Sequence, residues 1–134
     1  MDWSEKFPAF EDFLKEKGLS CQRRGTVPRY GEKLAQYGND KIAVRVWSER
    51  GIWFADIADI VGRPNEWYDS AIIRDLVKGR GEDVLPITEQ MRIIEENWPA
   101  IADAFAPEHR EQTNHQLNAM RKERAKRRFP KLLS

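Results

Sequence analysis

The stretch KIAVRVWSERGIWFADIADI, Lys41 to Ile60, holds two runs rich in Val, Ile, Trp and Phe on either side of Ser48-Glu49-Arg50-Gly51. Each run alternates with a period of two, the spacing a half-buried strand requires. Ile42, Val44 and Val46 fall on one face of the first run and Ala43, Arg45 and Trp47 on the other. In the second run, Ile52 and Phe54 oppose Trp53 and Ala55. A β-hairpin is the expected result. Glu49 and Arg50 suit the central positions of a type I turn, with Gly51 as the left-handed residue that completes a bulge. Asn39-Asp40 makes a stop ahead of the first strand. A lone hairpin is marginal in water, so a third strand and a helical cover must come from elsewhere in the chain.

Working outward, Pro8 suits the first turn of a helix whose Phe10, Phe13 and Leu14 share a face until Gly18 ends it. Leu19 to Tyr30 reads as an irregular edge strand, because it contains Gly25 and Pro28. EKLAQ, between Tyr30-Gly31 and Tyr37-Gly38, fits either a short strand or one helical turn. After the hairpin, Asp69 is a good N-cap for a helix carrying Ile72, Ile73, Leu76 and Val77 to a stop at Gly79. Ile87, Met91, Ile94, Trp98, Ile101 and Phe105 then recur at alternating spacings of four and three, which predicts one long helix over 86–105 with an apolar stripe. Pro99 should kink it near Glu95. Pro107 starts a polar last helix, whose only large apolar residues before the tail are Leu117 and Met120. Phe129 and Leu132-Leu133 follow, with the option of folding back onto the body.

These readings give an α+β fold. A small antiparallel sheet centred on the hairpin at about 41–58 packs against three to four helices, among them the kinked helix 86–105 and the polar C-terminal helix. At 134 residues the chain is expected to be a single domain, 1–134. A chain of this size buries roughly 68% of its unfolded surface without needing a metal or disulfide. The basic C-terminal segment 121–134 is an extension that could be flexible.

Charged residues make up 34% of the chain, yet the formal net charge is only +1, so no global field favours nucleic acid or an anionic membrane. Residues 121 to 131, RKERAKRRFPK, carry a local +6 and leave −5 on the rest. That asymmetry is the main electrostatic signal. Cys21 is the single cysteine, which excludes an internal disulfide and a cysteine-based zinc cluster. No secretory leader or eighteen-residue apolar run occurs, so a cytoplasmic protein with no membrane partner is expected.

Asp56, Asp59, Glu66 and Asp69 come close together after the second strand, and paired carboxylates can serve as acid and base or hold a divalent cation. Their spacing fits no Ca²⁺ loop, which needs acidic ligands at alternate positions around a glycine. His109 and His115 are six apart on a polar helix and cannot chelate one ion as residues four apart would. There is no GxGxxG, P-loop, GxSxG or HExxH. No catalytic residue, metal ligand or cofactor is therefore singled out. The better reading of the acidic cluster is a protein-binding surface formed by Trp47, Trp53, Asp56, Asp59, Trp67 and Tyr68, in which acids ringed by aromatic groups meet a basic partner. The alternative is a nucleic-acid-associated protein that neutralises phosphates with Arg121, Lys122, Arg124, Lys126, Arg127 and Arg128. No aromatic residue is interleaved with those charges to stack bases.

The layout of a short N-terminal helix, a hairpin around RVWSERGIWF, a WYD segment opening a helix and a helix containing NWPAI resembles small bacterial proteins, the immunity proteins of polymorphic or contact-dependent toxin systems. The resemblance covers most of the chain at the level of layout. It implies a cytoplasmic, noncatalytic inhibitor that binds one cognate toxin domain and blocks its active site. No functional residue is carried over from it.

Overall fold

The computed structural model describes residues 3–27 and 32–128. The elements in order are α1 (Trp3–Glu16), β1 (Ser20–Val27), β2 (Glu32–Gly38), β3 (Ile42–Glu49), β4 (Ile52–Asp59), β5 (Trp67–Asp69), α2 (Ser70–Val77), α3 (Ile87–Glu96), α4 (Trp98–Ala104) and α5 (Arg110–Arg128). The fold is α+β, with an antiparallel five-stranded sheet in the order β1-β2-β3-β4-β5. Pro28, Tyr30-Gly31 and the tail Phe129 to Leu133 lie outside the described residues.

The hairpin forms at the expected place with a different turn. Glu49 pairs with Ile52, leaving a two-residue loop in which Arg50 (φ 53°) and Gly51 (φ 79°) both take left-handed conformations. That is the mirror-image type I′ turn, whose twist matches the strands, in place of the expected type I turn with a Gly51 bulge, which would need a three-residue loop. Gly51 takes the second left-handed position without a Cβ penalty. EKLAQ resolves as a strand because β2 is paired on both sides, with Ala35 and Tyr37 turned inward. The Asn39 side-chain oxygen accepts hydrogen bonds from the amides of Lys41 (2.8 Å) and Ile42 (2.9 Å), closing the β2–β3 turn. β1 is the edge strand, with a register shift between Cys21 and Arg23.

All five helices supply the core, and the sheet meets them with one face only. Phe10, Leu14, Ile72, Ile73, Met91, Ile94, Trp98, Ile101, Phe105 and Leu117 pack against Ala35, Tyr37, Ile42, Val44, Val46, Ala55, Ile57 and Tyr68. Every one of those strand residues points to the same side in the register. Asp69 caps α2 by accepting from the Ile72 amide at 3.2 Å, as the sequence predicts, and Gly79 follows with φ 121°.

Three helix boundaries differ from the sequence reading. Pro8 sits inside α1 and not in its first turn, since the helix starts at Trp3. The expected helix 86–105 is broken into two at Asn97 (φ −109°, ψ 13°). Pro99 has no N–H for the Glu95 carbonyl, and a new helix with Pro99 in its first turn removes that conflict. The apolar stripe survives the break, for Ile94, Trp98, Ile101 and Phe105 are all buried. Finally, α5 begins at Arg110, with Pro107 in the turn before it.

β5 pairs only with Asp56 to Ala58, so the earlier half of the outer β4 edge needs another partner. Gln90 of α3 supplies it. Its Oε1 accepts from the Ala55 amide (2.8 Å) and the Ser70 hydroxyl (3.2 Å), while its Nε2 donates to the carbonyls of Leu85 (2.8 Å) and Trp53 (3.4 Å). One side-chain amide thus takes the place of a neighbouring strand's peptide group.

Candidate functional site

The sheet face turned away from the core carries Leu34 and Gln36 from β2, Arg45 and Trp47 from β3, Phe54 and Asp56 from β4, and Trp67 and Asp69 from β5. Strand register assembles the cluster. Trp47 stands opposite Phe54, and the rings stack with centroids 4.8 Å apart and planes at 29°. Arg45 stands opposite Asp56, which in turn stands opposite Asp69. Trp67 is in register with Ala58 and through it with Ala43, both fully buried; small side chains there leave room for a large ring beside Arg45.

The Arg45 guanidinium carbon lies 4.9 Å from the Trp47 ring centroid and 4.4 Å from that of Trp67. Both distances suit a cation–π interaction. Beneath the rings, Asp56 Oδ2 accepts from Trp47 Nε1 at 2.6 Å and from Arg45 Nε at 3.0 Å. Burial pushes the Asp56 carboxyl above the usual range. The bonds from Trp47 and Arg45 pull it back, and the Asp69 charge across the strand pair adds to the rise. Asp69 feels burial in the same sense, yet two bonds from Arg124 (2.9 and 2.7 Å) and the Ile72 amide outweigh it and hold the carboxyl below the usual range. Trp47, Phe54 and Trp67 remain half-buried, open on the side no core helix covers.

Of the six residues chosen as a partner surface, Trp47, Asp56 and Trp67 come together on this face. Tyr68 and Asp59 do not, since both are fully buried and turned to the helical side. Trp53 also faces inward, against the core, so it cannot pair with Trp47. The two-residue turn sets Trp47 opposite Phe54 and Ser48 opposite Trp53. Nor do the acids form an open negative patch. Asp56 is paired with Arg45, Asp69 with Arg124, and Asp59 is enclosed by the amides of Val61 and Gly62 (3.1 Å each), Asn114 Nδ2 (2.8 Å) and Arg110 Nε at 3.2 Å.

The basic run is divided in the same way. Arg121 donates to the Trp67 carbonyl at 2.8 Å and lies over the Tyr68 ring, Arg124 holds Asp69, and Arg127 reaches within 3.6 Å of Asp83. Lys122, Lys126 and Arg128 remain exposed on the helix. Residues 121–128 of the basic segment are the helical end of α5, tied to the body by three arginines. Glu66 bonds to Arg63 at 3.1 Å on the surface.

Sequence reading missed Arg45 and Phe54. Arg45 looks like a solvated charge within a strand, and only the pairing that follows from a two-residue turn sets it against Asp56. No helix of the described residues is long and apolar enough to cross a membrane. The chain matches no protein-family model, no curated protein and no solved structure.

Proposed function

We propose that this chain is a noncatalytic protein-binding module that engages another protein through the outer face of its sheet. An immunity-type inhibitor acting on a cognate bacterial toxin domain in the cytoplasm is the form of that activity the layout supports. The observation that carries the reading is the half-open cluster of Trp47, Phe54 and Trp67 around a fixed guanidinium, on the face without helical cover. Rigid aromatic groups and arginine are the residue types that dominate binding energy at protein interfaces. The nucleic-acid reading has weaker support, because half of its six basic side chains are engaged by the protein itself.

The test is capture by the tagged protein from its own cells after nuclease treatment, run beside Trp67→Ala and Leu34→Glu variants checked for an unchanged circular dichroism spectrum. One stoichiometric protein held by the wild type and lost by both variants is the expected result. Equal retention by the variants would remove this face from the account. Capture that disappears with nuclease would move the function to Lys122, Lys126 and Arg128.

A further inference from the structure

On the proposed partner surface Arg45 is a cation both fixed in position and incompletely used. Arg45 spends its Nε on Asp56 Oδ2, while neither of its terminal Nη groups donates a hydrogen bond to any of the described residues. The side chain is 26% exposed, so the outer fork reaches solvent. Its orientation is held from three sides, by Asp56 beneath and by the rings of Trp47 and Trp67. A long cation ordinarily loses rotamer freedom on binding, and that loss is already incurred here.

We propose that the outer fork of Arg45 is the anchor point of the interface and receives a carboxylate of the protein partner, from an acidic side chain with apolar groups around it. This rests on the protein-binding reading and reverses the partner chemistry the sequence suggests, since the acids of the face are already paired and the more exposed open valence, on Arg45, is a donor. Planar guanidinium matches a planar carboxylate through two parallel N–H···O bonds. The surroundings choose carboxylate over phosphate. Asp56 and Asp69 lie behind the fork and Arg124 beside them, so the two acids and two arginines sum to no net charge. A doubly charged phosphate finds no excess field there. A singly charged carboxylate on an apolar body gains the bidentate bond and covers the half-open rings of Trp47, Phe54 and Trp67. The carboxylate would also be screened from water by those rings, which strengthens the pair.

The experiment titrates the full chain with benzoate and with benzamide, its uncharged counterpart, following by nuclear magnetic resonance the Arg45 guanidinium and the indole N–H signals of Trp47 and Trp67. Benzoate is expected to shift these signals saturably and to bind about tenfold tighter than benzamide, the difference expected of one charge-assisted bidentate bond. Arg45→Lys, which keeps the charge and removes the fork, should reduce that ratio to near one. Equal binding of the two probes by the wild type would overturn the proposal without any variant. So would a preference that persists in Arg45→Lys, or tighter binding of inorganic phosphate at the same signals. Protein capture lost in Trp67→Ala together with equal benzoate and benzamide binding would leave the interface standing and remove only the carboxylate anchor. A tenfold preference with no captured protein would do the reverse.

Discussion

Asp56 on β4 and Asp69 on β5 stand directly opposite each other on the same face of one sheet, each beside an arginine, yet folding shifts their acidities in opposite directions. The difference lies in how donors are distributed. Asp69 takes two bonds from Arg124, one on each oxygen, and a third from the Ile72 amide, with its side chain a third exposed. Asp56 receives Trp47 and Arg45 on the same oxygen, with its side chain only 8% exposed. Proximity to a cation is thus insufficient to strengthen an acid; burial raises both carboxylates, and the number of donors decides. The comparison also separates two roles. Arg124 uses its guanidinium to join the end of α5 to the cap of α2, while Arg45 retains an outward fork.

The largest effect should come from the side where the pairing is complete. Arg124→Ala leaves Asp69 with its helix-cap bond alone and leaves α5 joined to β5 through Arg121, and a loss of about 1.5–3 kcal/mol is expected from removing bonds to a charged group. Urea unfolding should show a lower midpoint at unchanged slope. Asp56→Asn should cost less, about 1 kcal/mol, because the amide oxygen can still accept from Trp47 and Arg45 and only the charge assistance of those bonds is lost. If Asp56→Asn is the more damaging of the two, the contrast between the residues is wrong.

How much of this was legible in the sequence depends on whether local pattern or register decides. The hairpin, the Asp69 cap and the stripe from Ile87 to Phe105 follow from spacing alone, and the α+β fold follows from them. The β2 strand was undecidable because Glu32 to Gln36 has too little periodicity, and pairing with two neighbours settles it. The break at Asn97 shows the limit of a stripe, since apolar spacing can continue across a proline that the backbone cannot pass unbroken. For the candidate site, Trp47 and Trp67 were recognisable as aromatic groups near acids. Sequence proximity misplaced their neighbours, because adjacent residues of a strand point to opposite faces, and so Tyr68 and Asp59 went inward. Arg45 became meaningful only once the Arg50-Gly51 turn fixed what stands across from it. Gln90 left no local trace, for it serves a strand edge thirty-five residues away.

The smallest effect, and the sharpest test of the comparison, is its dependence on pH. Folding raises Asp56 above the ordinary 3.8, so the folded state holds that proton more tightly than the unfolded chain does. Asp56 therefore adds stability that is fully present below 3.8 and is lost as pH rises through its folded-state value. Asp69 is lowered, so its contribution is present above 3.8 and is lost as pH falls through its own folded-state value, below 3.8. Stability measured for the wild type minus that for Asp56→Asn should accordingly increase as pH drops from 7 towards 3.8. The wild type minus Asp69→Asn should hold steady over that window and decrease only below it. Asparagine is as good a helix cap as aspartate, so the second difference isolates the charge held by Arg124 from the capping bond itself. Two differences running in the same direction would mean that both carboxylates answer to their arginines alone, and the unequal distribution of donors would then have no thermodynamic consequence.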